Sequence, residues 1–133
     1  MAAVAVAFAV LAWSAVLTWL MLTTSSALRV QPLAPGGTDR AVGNRDDLPP
    51  PTPLAGRADR AARNMLENLV LLTALIAAVH FAGKADGQAQ LGANIFFWAR
   101  VAYWPVYLAG SPLRSVVWLI SVVGLALIAA AMI

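Results

Sequence analysis

At 133 residues the chain is 61% hydrophobic and 11% charged, against roughly 45–50% and about 25% in a soluble domain, and a soluble core of this length cannot hide so much apolar surface. It has no cysteine and one histidine, His80, which excludes disulfides, thiolate metal sites and a His-cluster metal site within one chain. The net charge is +3, and every basic residue except Lys84 is arginine; in so apolar a chain this excess reflects membrane topology rather than nucleic-acid binding.

Four apolar segments follow in order. Ala2 to Leu28 carries no charge, enough for ~40 Å of helix against a hydrocarbon core of ~30 Å. No basic residue precedes this run and it is too long for a signal-peptide core, so a membrane span is expected. The second segment extends from about Ala58 to Gly83, polar on one side of its first turns and apolar beyond. Gly83, Lys84, Asp86 and Gly87 form a short turn. The third, from about Gln88 to Ala109, contains Arg100 and Pro105. Gly110-Ser111-Pro112 breaks the chain, with Ser111 expected as N-cap and Pro112 in the first helical position. The fourth, Leu113 to Ile133, is almost entirely apolar. In lipid every backbone polar group needs a partner within the protein, so segments of this length are expected as helices rather than barrel strands.

The one long connection, Val30 to Ala55, holds six of the eight prolines and three aspartates. It is expected to be non-helical and too polar to span. It is either a plain linker or a loop folded over a site. With four spans, this loop and the Gly110 turn share one side, and the termini and the Lys84 turn share the other. Arg29, Arg40, Arg45, Arg57 and Arg114 cluster on the loop side, so the positive-inside rule places the loop in the cytoplasm and both termini outside.

Residues that do not belong in lipid carry the functional signal. At 100° per residue Arg60, Asn64 and Glu67 share one face of the second helix, with Arg63 one turn from Glu67 and Asn68 nearby. Arg100 lies deep in the third segment, where a charge costs ~2.5–3.5 kcal/mol unless it meets a partner or a wet cavity. Tyr103 and Tyr107 follow on the same face. Arg114, Ser115 and Trp118 repeat the spacing at the start of the fourth helix. All three clusters lie toward the cytoplasmic end and describe a basic pocket between helices. A bland reading competes: Glu67 neutralising Arg60 or Arg63 to lock helices, Arg57 and Arg114 as interfacial residues, the tryptophans as belt or packing. Four arginines around one carboxylate nevertheless leave positive charge over, which suits an anionic ligand.

The run Gly56-Arg57-Ala58-Asp59-Arg60-Ala61-Ala62-Arg63-Asn64-Met65-Leu66-Glu67-Asn68 resembles the second-helix signature of the MAPEG family, the membrane-associated proteins in eicosanoid and glutathione metabolism, whose core here is Arg60-Ala61, Asn64 and Glu67. Ala99-Arg100-Val101-Ala102-Tyr103 with Tyr107, then Pro112-Leu113-Arg114-Ser115, resembles the family's third and fourth helices. The resemblance spans the whole chain in order and spacing. Arg45-Asp46 and prolines ahead of Gly56-Arg57 are similar to the bacterial branch.

The resemblance implies an all-α, integral-membrane four-helix bundle, residues 1–133 forming a single domain with helices near 2–28, 58–83, 88–109 and 112–133, assembled as a homotrimer in a bacterial inner membrane. It implies glutathione, or a similar thiol, bound as co-substrate near the cytosolic face between neighbouring subunits. Arg60, Arg63, Asn64 and Glu67 would hold its charged ends, Arg100, Tyr103 and Tyr107 would line the pocket, and Arg114 with Ser115 would stabilise the thiolate. Glutathione carries two carboxylates and one ammonium, which several arginines and one glutamate complement. Its thiol becomes nucleophilic near neutral pH when a cation or hydroxyl stabilises the thiolate, and an apolar electrophile would arrive from the bilayer. Tyr103 stands where some eicosanoid enzymes of the family have histidine, Trp118 stands where they have a glutathione-contacting tyrosine, and the turn before Arg114 is two residues shorter. These departures count against prostaglandin or leukotriene synthesis. The expected function is thus a glutathione transferase or peroxidase for hydrophobic electrophiles. The alternative is a non-catalytic membrane protein that binds lipid or a partner complex. No metal site and no nucleic-acid partner are expected.

Overall fold

The computed structural model describes residues 2–133, with side chains from residue 5 onward. Its elements are α1 (Ala2–Val30), α2 (Gly37–Val42), α3 (Pro53–Phe81), α4 (Gly87–Leu108) and α5 (Arg114–Ala130), with no strand among the described residues. Helices α1 and α3 are long and apolar enough to cross a membrane. Helix α1 packs along α3 and α4, and α4 pairs with α5.

The long connection is more structured than its prolines suggest. It contains the short helix α2, and its last residues already belong to α3. Thr52 accepts the Ala55 N–H at 3.1 Å and Pro53 occupies the first turn. A β-region threonine followed by proline is a strong helix start, so α3 begins five residues ahead of Ala58. The connection is also tied back to α1. Arg29 donates from Nη1 to the Pro49 carbonyl at 2.7 Å, and Arg40 donates from Nε to the Val30 carbonyl at 3.3 Å, covering a helix-end acceptor.

The buried stripe of α3 runs Ala55, Ala58, Ala61 and Ala62, Met65, Asn68, Leu72, Ile76, Val79. Three- and four-residue steps keep these on one side of the helix, and the alanines let the neighbouring backbones come close. The facing stripe of α1 mixes Ser14, Leu17, Thr18 and Met21, all buried. Thr18 satisfies its hydroxyl locally, donating to the Ser14 carbonyl at 2.7 Å. The tightest contact joins α4 to α5. A Cβ added to Gly92 would meet the Gly124 carbonyl oxygen at 2.6 Å, and one added to Gly124 would meet the Gly92 oxygen at 2.6 Å. Only bare backbones fit at this crossing.

Each end of the bundle is tied separately. Asp86 caps α4 by accepting the Ala89 N–H at 3.0 Å. Beside it Lys84 donates to the Met132 carbonyl and Gln88 to the Leu127 carbonyl at 3.1 Å, so the α3–α4 turn lies against the end of α5. At the opposite end Arg57 donates from Nε to the Leu108 carbonyl at 2.8 Å. The Ser111 hydroxyl accepts the Leu113 N–H at 3.3 Å, as an N-cap does, although α-helical geometry starts only at Arg114. The stretch between is a tighter turn, with Arg114 N–H to Ser111 O and Ser115 N–H to Pro112 O each 3.3 Å.

Candidate functional site

The polar side of α3 begins about two turns past its cap. Arg60 and Arg63, then Asn64, then Glu67, stand on the flank opposite the alanine stripe, so packing against α1 leaves them outward. Arg60, Arg63 and Glu67 are exposed and Asn64 is half-buried. Helix α4 presents Tyr103 and Tyr107, one turn apart and both buried, with ring centroids 5.3 Å apart in an edge-to-face arrangement. Helix α5 opens with Arg114, Ser115 and Trp118. These side chains wall a single cleft of about 410 Å³, a size that suits a small-molecule ligand.

The cleft is cationic. The three arginines on its wall, Arg60, Arg63 and Arg114, face one carboxylate, Glu67. Glu67 does not neutralise them: the one ion pair among the described residues joins Arg63 Nε to Asp59 Oδ2 at 3.0 Å, one turn back on α3 and exposed to solvent. A pair so exposed contributes little and leaves the Arg63 charge available. The Arg114 guanidinium carbon lies 5.1 Å from the centre of the Tyr107 ring. That face-on contact steadies the cation where the helix is only beginning.

Arg100 occupies a different place from the other arginines. It has no solvent exposure and is absent from the cleft wall. Its guanidinium sits between Phe96, at 5.3 Å, and Tyr103, at 5.1 Å from the ring centres, and donates from Nη1 to Asn64 Oδ1 at 2.6 Å. It backs the wall rather than forming it.

The MAPEG family model matches residues 3–133, essentially the whole chain. The chain belongs to the MAPEG family. Comparison with curated proteins and with solved structures gave no match. A MAPEG protein is a membrane helical bundle connected with glutathione and eicosanoid metabolism, and the all-helical architecture and apolar helices agree with that class.

The site residues expected from the sequence thus fall into two groups. Arg60, Arg63, Asn64, Glu67, Tyr103, Tyr107, Arg114 and Ser115 converge on one cleft although they come from three helices. Arg100 stands behind them. Two further residues belong to the neighbourhood. Trp118 closes part of the cleft wall, whereas Trp13, Trp19 and Trp98 are exposed on the outer surface. Its position one turn after Arg114 and Ser115 was the available clue. Arg57 borders an adjoining hollow together with Thr52 and Gly110 and ties the start of α3 to the end of α4. No local pattern announces that contact, because its partner is a main-chain carbonyl far along the chain. His80 lies elsewhere, exposed and edge-on to Phe8 and Phe81.

Proposed function

We propose that this MAPEG protein is a membrane-bound, glutathione-dependent transferase or peroxidase acting on hydrophobic electrophiles. The observation that carries the reading is the cleft itself, with its surplus of guanidinium groups, one carboxylate without an ion-pair partner among the described residues, and a cation at its edge beside two tyrosines. Glutathione presents the matching pattern: two carboxylates, one ammonium and a thiol.

In this reading Arg60, Arg63, Asn64 and Glu67 hold the charged ends, and Tyr103 and Tyr107 form the floor. Arg114, with the Ser115 hydroxyl beside it, stabilises the thiolate. In a transferase step the sulfur attacks an electrophilic carbon, a C–S bond forms, and the leaving group departs with the bonding pair or a ring opens. In a peroxidase step the sulfur attacks a hydroperoxide oxygen, the O–O bond breaks, an alcohol leaves, and a second thiol reduces the sulfenic product to a disulfide. Arg114 serves both, because each begins with the thiolate.

We further propose four membrane spans, the Val30–Ala55 connection in the cytoplasm, and a homotrimer whose neighbouring subunit covers the cleft. The exposure of Arg60, Arg63 and Glu67 on the surface of one chain supports such a cover, since charged groups at the edge of lipid need polar company. The open cleft favours catalysis over the non-catalytic alternative, for which a cleft filled by its own side chains would have spoken.

The test is to titrate purified protein with glutathione and follow thiolate absorbance, then assay turnover with apolar halides, epoxides and lipid hydroperoxides. Thiolate formation with turnover upholds the proposal. Binding of glutathione or lipid with no turnover on any electrophile gives the non-catalytic reading instead.

A further inference from the structure

Arg100 is a guanidinium with no exposure at all, and its Nε and Nη2 have no hydrogen-bond partner. Its central carbon lies over two aromatic rings, Phe96 at 5.3 Å and Tyr103 at 5.1 Å, and among the described residues its one hydrogen-bond acceptor is Asn64 Oδ1 at 2.6 Å. A buried cation with a single polar outlet holds that outlet strongly, because losing it leaves the charge with no acceptor.

Guanidinium only donates, whereas a carboxamide has one end that accepts and one that donates. Arg100 therefore fixes which way round the Asn64 amide sits. Its oxygen must face Arg100, and its NH2 must turn the other way. Asn64 is half-buried and lines the cleft, and its Nδ2 has no acceptor among the described residues. Without Arg100 the amide would be ambiguous, able to offer either end to a ligand.

We infer that Arg100 is a positioning residue which, by locking the Asn64 amide with its N–H groups toward the cleft, makes Asn64 a reader of a ligand carboxylate and not of a ligand ammonium. Arg100 does not touch the ligand. It acts one residue removed, and the ammonium is left to Glu67, the carboxylate one turn further along α3. This rests on the glutathione reading above and adds to it a selectivity. The cleft takes thiols with a carboxylate at this position and rejects analogues in which that group is an amide or an amine.

The experiment is glutathione titration of the full-length protein in detergent, with thermal unfolding measured on the same samples. Asn64→Asp gives Arg100 a charged partner but puts an acceptor where the ligand carboxylate should sit. The expected result is a midpoint temperature equal to or above wild type with glutathione affinity reduced by ten-fold or more. Equal or tighter binding by N64D overturns the inference, because Asn64 would then face an ammonium; so does a lowered midpoint, because Asn64 would not be the acceptor of Arg100.

Arg100→Met, Asn64→Ala and the double variant complete a cycle. Arg100→Met should weaken binding several-fold alone and add nothing in the Asn64→Ala background. Losses that simply add overturn the inference, since Arg100 would then act independently of Asn64. If Arg100→Met does not fold, the Asn64→Asp comparison alone decides. A wild type that binds no glutathione sinks the proposed function itself, and the carboxylate assignment with it, whereas wild-type binding unchanged in Asn64→Asp sinks only this inference.

Discussion

The guanidinium of Arg114 lies over the ring of Tyr107, 5.1 Å from its centre, although one residue opens α5 and the other closes α4. The contact bridges the Gly110 turn. It places a cation at the cleft edge on a support that is itself buried, and the proposed chemistry depends on that cation.

Arg114→Ala should lower turnover by about ten- to a hundred-fold, since a charge-assisted contact to the thiolate is worth roughly 1.5–3 kcal/mol. Affinity for glutathione at low pH, where the thiol is neutral, should change far less. The wild-type cation favours the thiolate and so moves the rising limb of the rate profile to lower pH. Its loss should return that limb toward the free-thiol pKa of about 8.5–9. A profile and rate unaltered in R114A would make the residue an interfacial anchor.

Glu67→Gln should show the opposite division. Removing a ground-state contact to the ammonium raises KM and leaves kcat near its wild-type value. Steady-state kinetics with varied glutathione separates the two, and a fall in kcat with KM unchanged would contradict the assignment.

Gly124→Ala should destabilise the bundle, because its new methyl would meet backbone at Gly92 O and Phe96 N within 2.6 and 2.7 Å; overpacking of this kind costs about 1–3 kcal/mol. Gly87→Ala, with nothing within 4 Å, is the matched control and should unfold with the wild type. Thermal scans in one detergent compare them, and equal midpoints for G124A and G87A would refute the close crossing.

A reporter inserted near Gly43 should be read in the cytoplasm and one fused at Ile133 outside, if the arginines of the loop side govern orientation. The reverse pattern would move the cleft to the other face of the membrane.

The parts of the molecule that were legible in the sequence are those set by local pattern. Unbroken apolar runs marked the helices, and the steps from Arg60 to Asn64 to Glu67 placed three polar side chains on one flank of α3, where the structure has them. What the sequence concealed depends on distant partners or on competition between local signals. The prolines argued against helix through residue 55, yet Thr52 and Pro53 start one, because proline is harmful inside a helix and favourable in its first turn. Arg57 read as a snorkelling residue because a hydrogen bond to Leu108 O has no sequence signature. The depth of Arg100 in its segment called for a partner or a wet cavity without saying which, and the resemblance put it in the pocket lining beside Tyr103 and Tyr107. Only packing distinguishes a cation sealed between Phe96 and Tyr103 from one at the cleft edge.

The sealed arginine also bears on how the protein reaches its membrane. In the four-span arrangement proposed above, helix α4 would carry into the bilayer a charge that resists transfer into hydrocarbon. Helix α3, made earlier, already holds its acceptor in Asn64, and the α3–α4 turn is short enough for the two to enter the bilayer as a hairpin. On that arrangement order of synthesis and order of burial would coincide, and Arg100 would meet its acceptor on α3 rather than enter lipid alone.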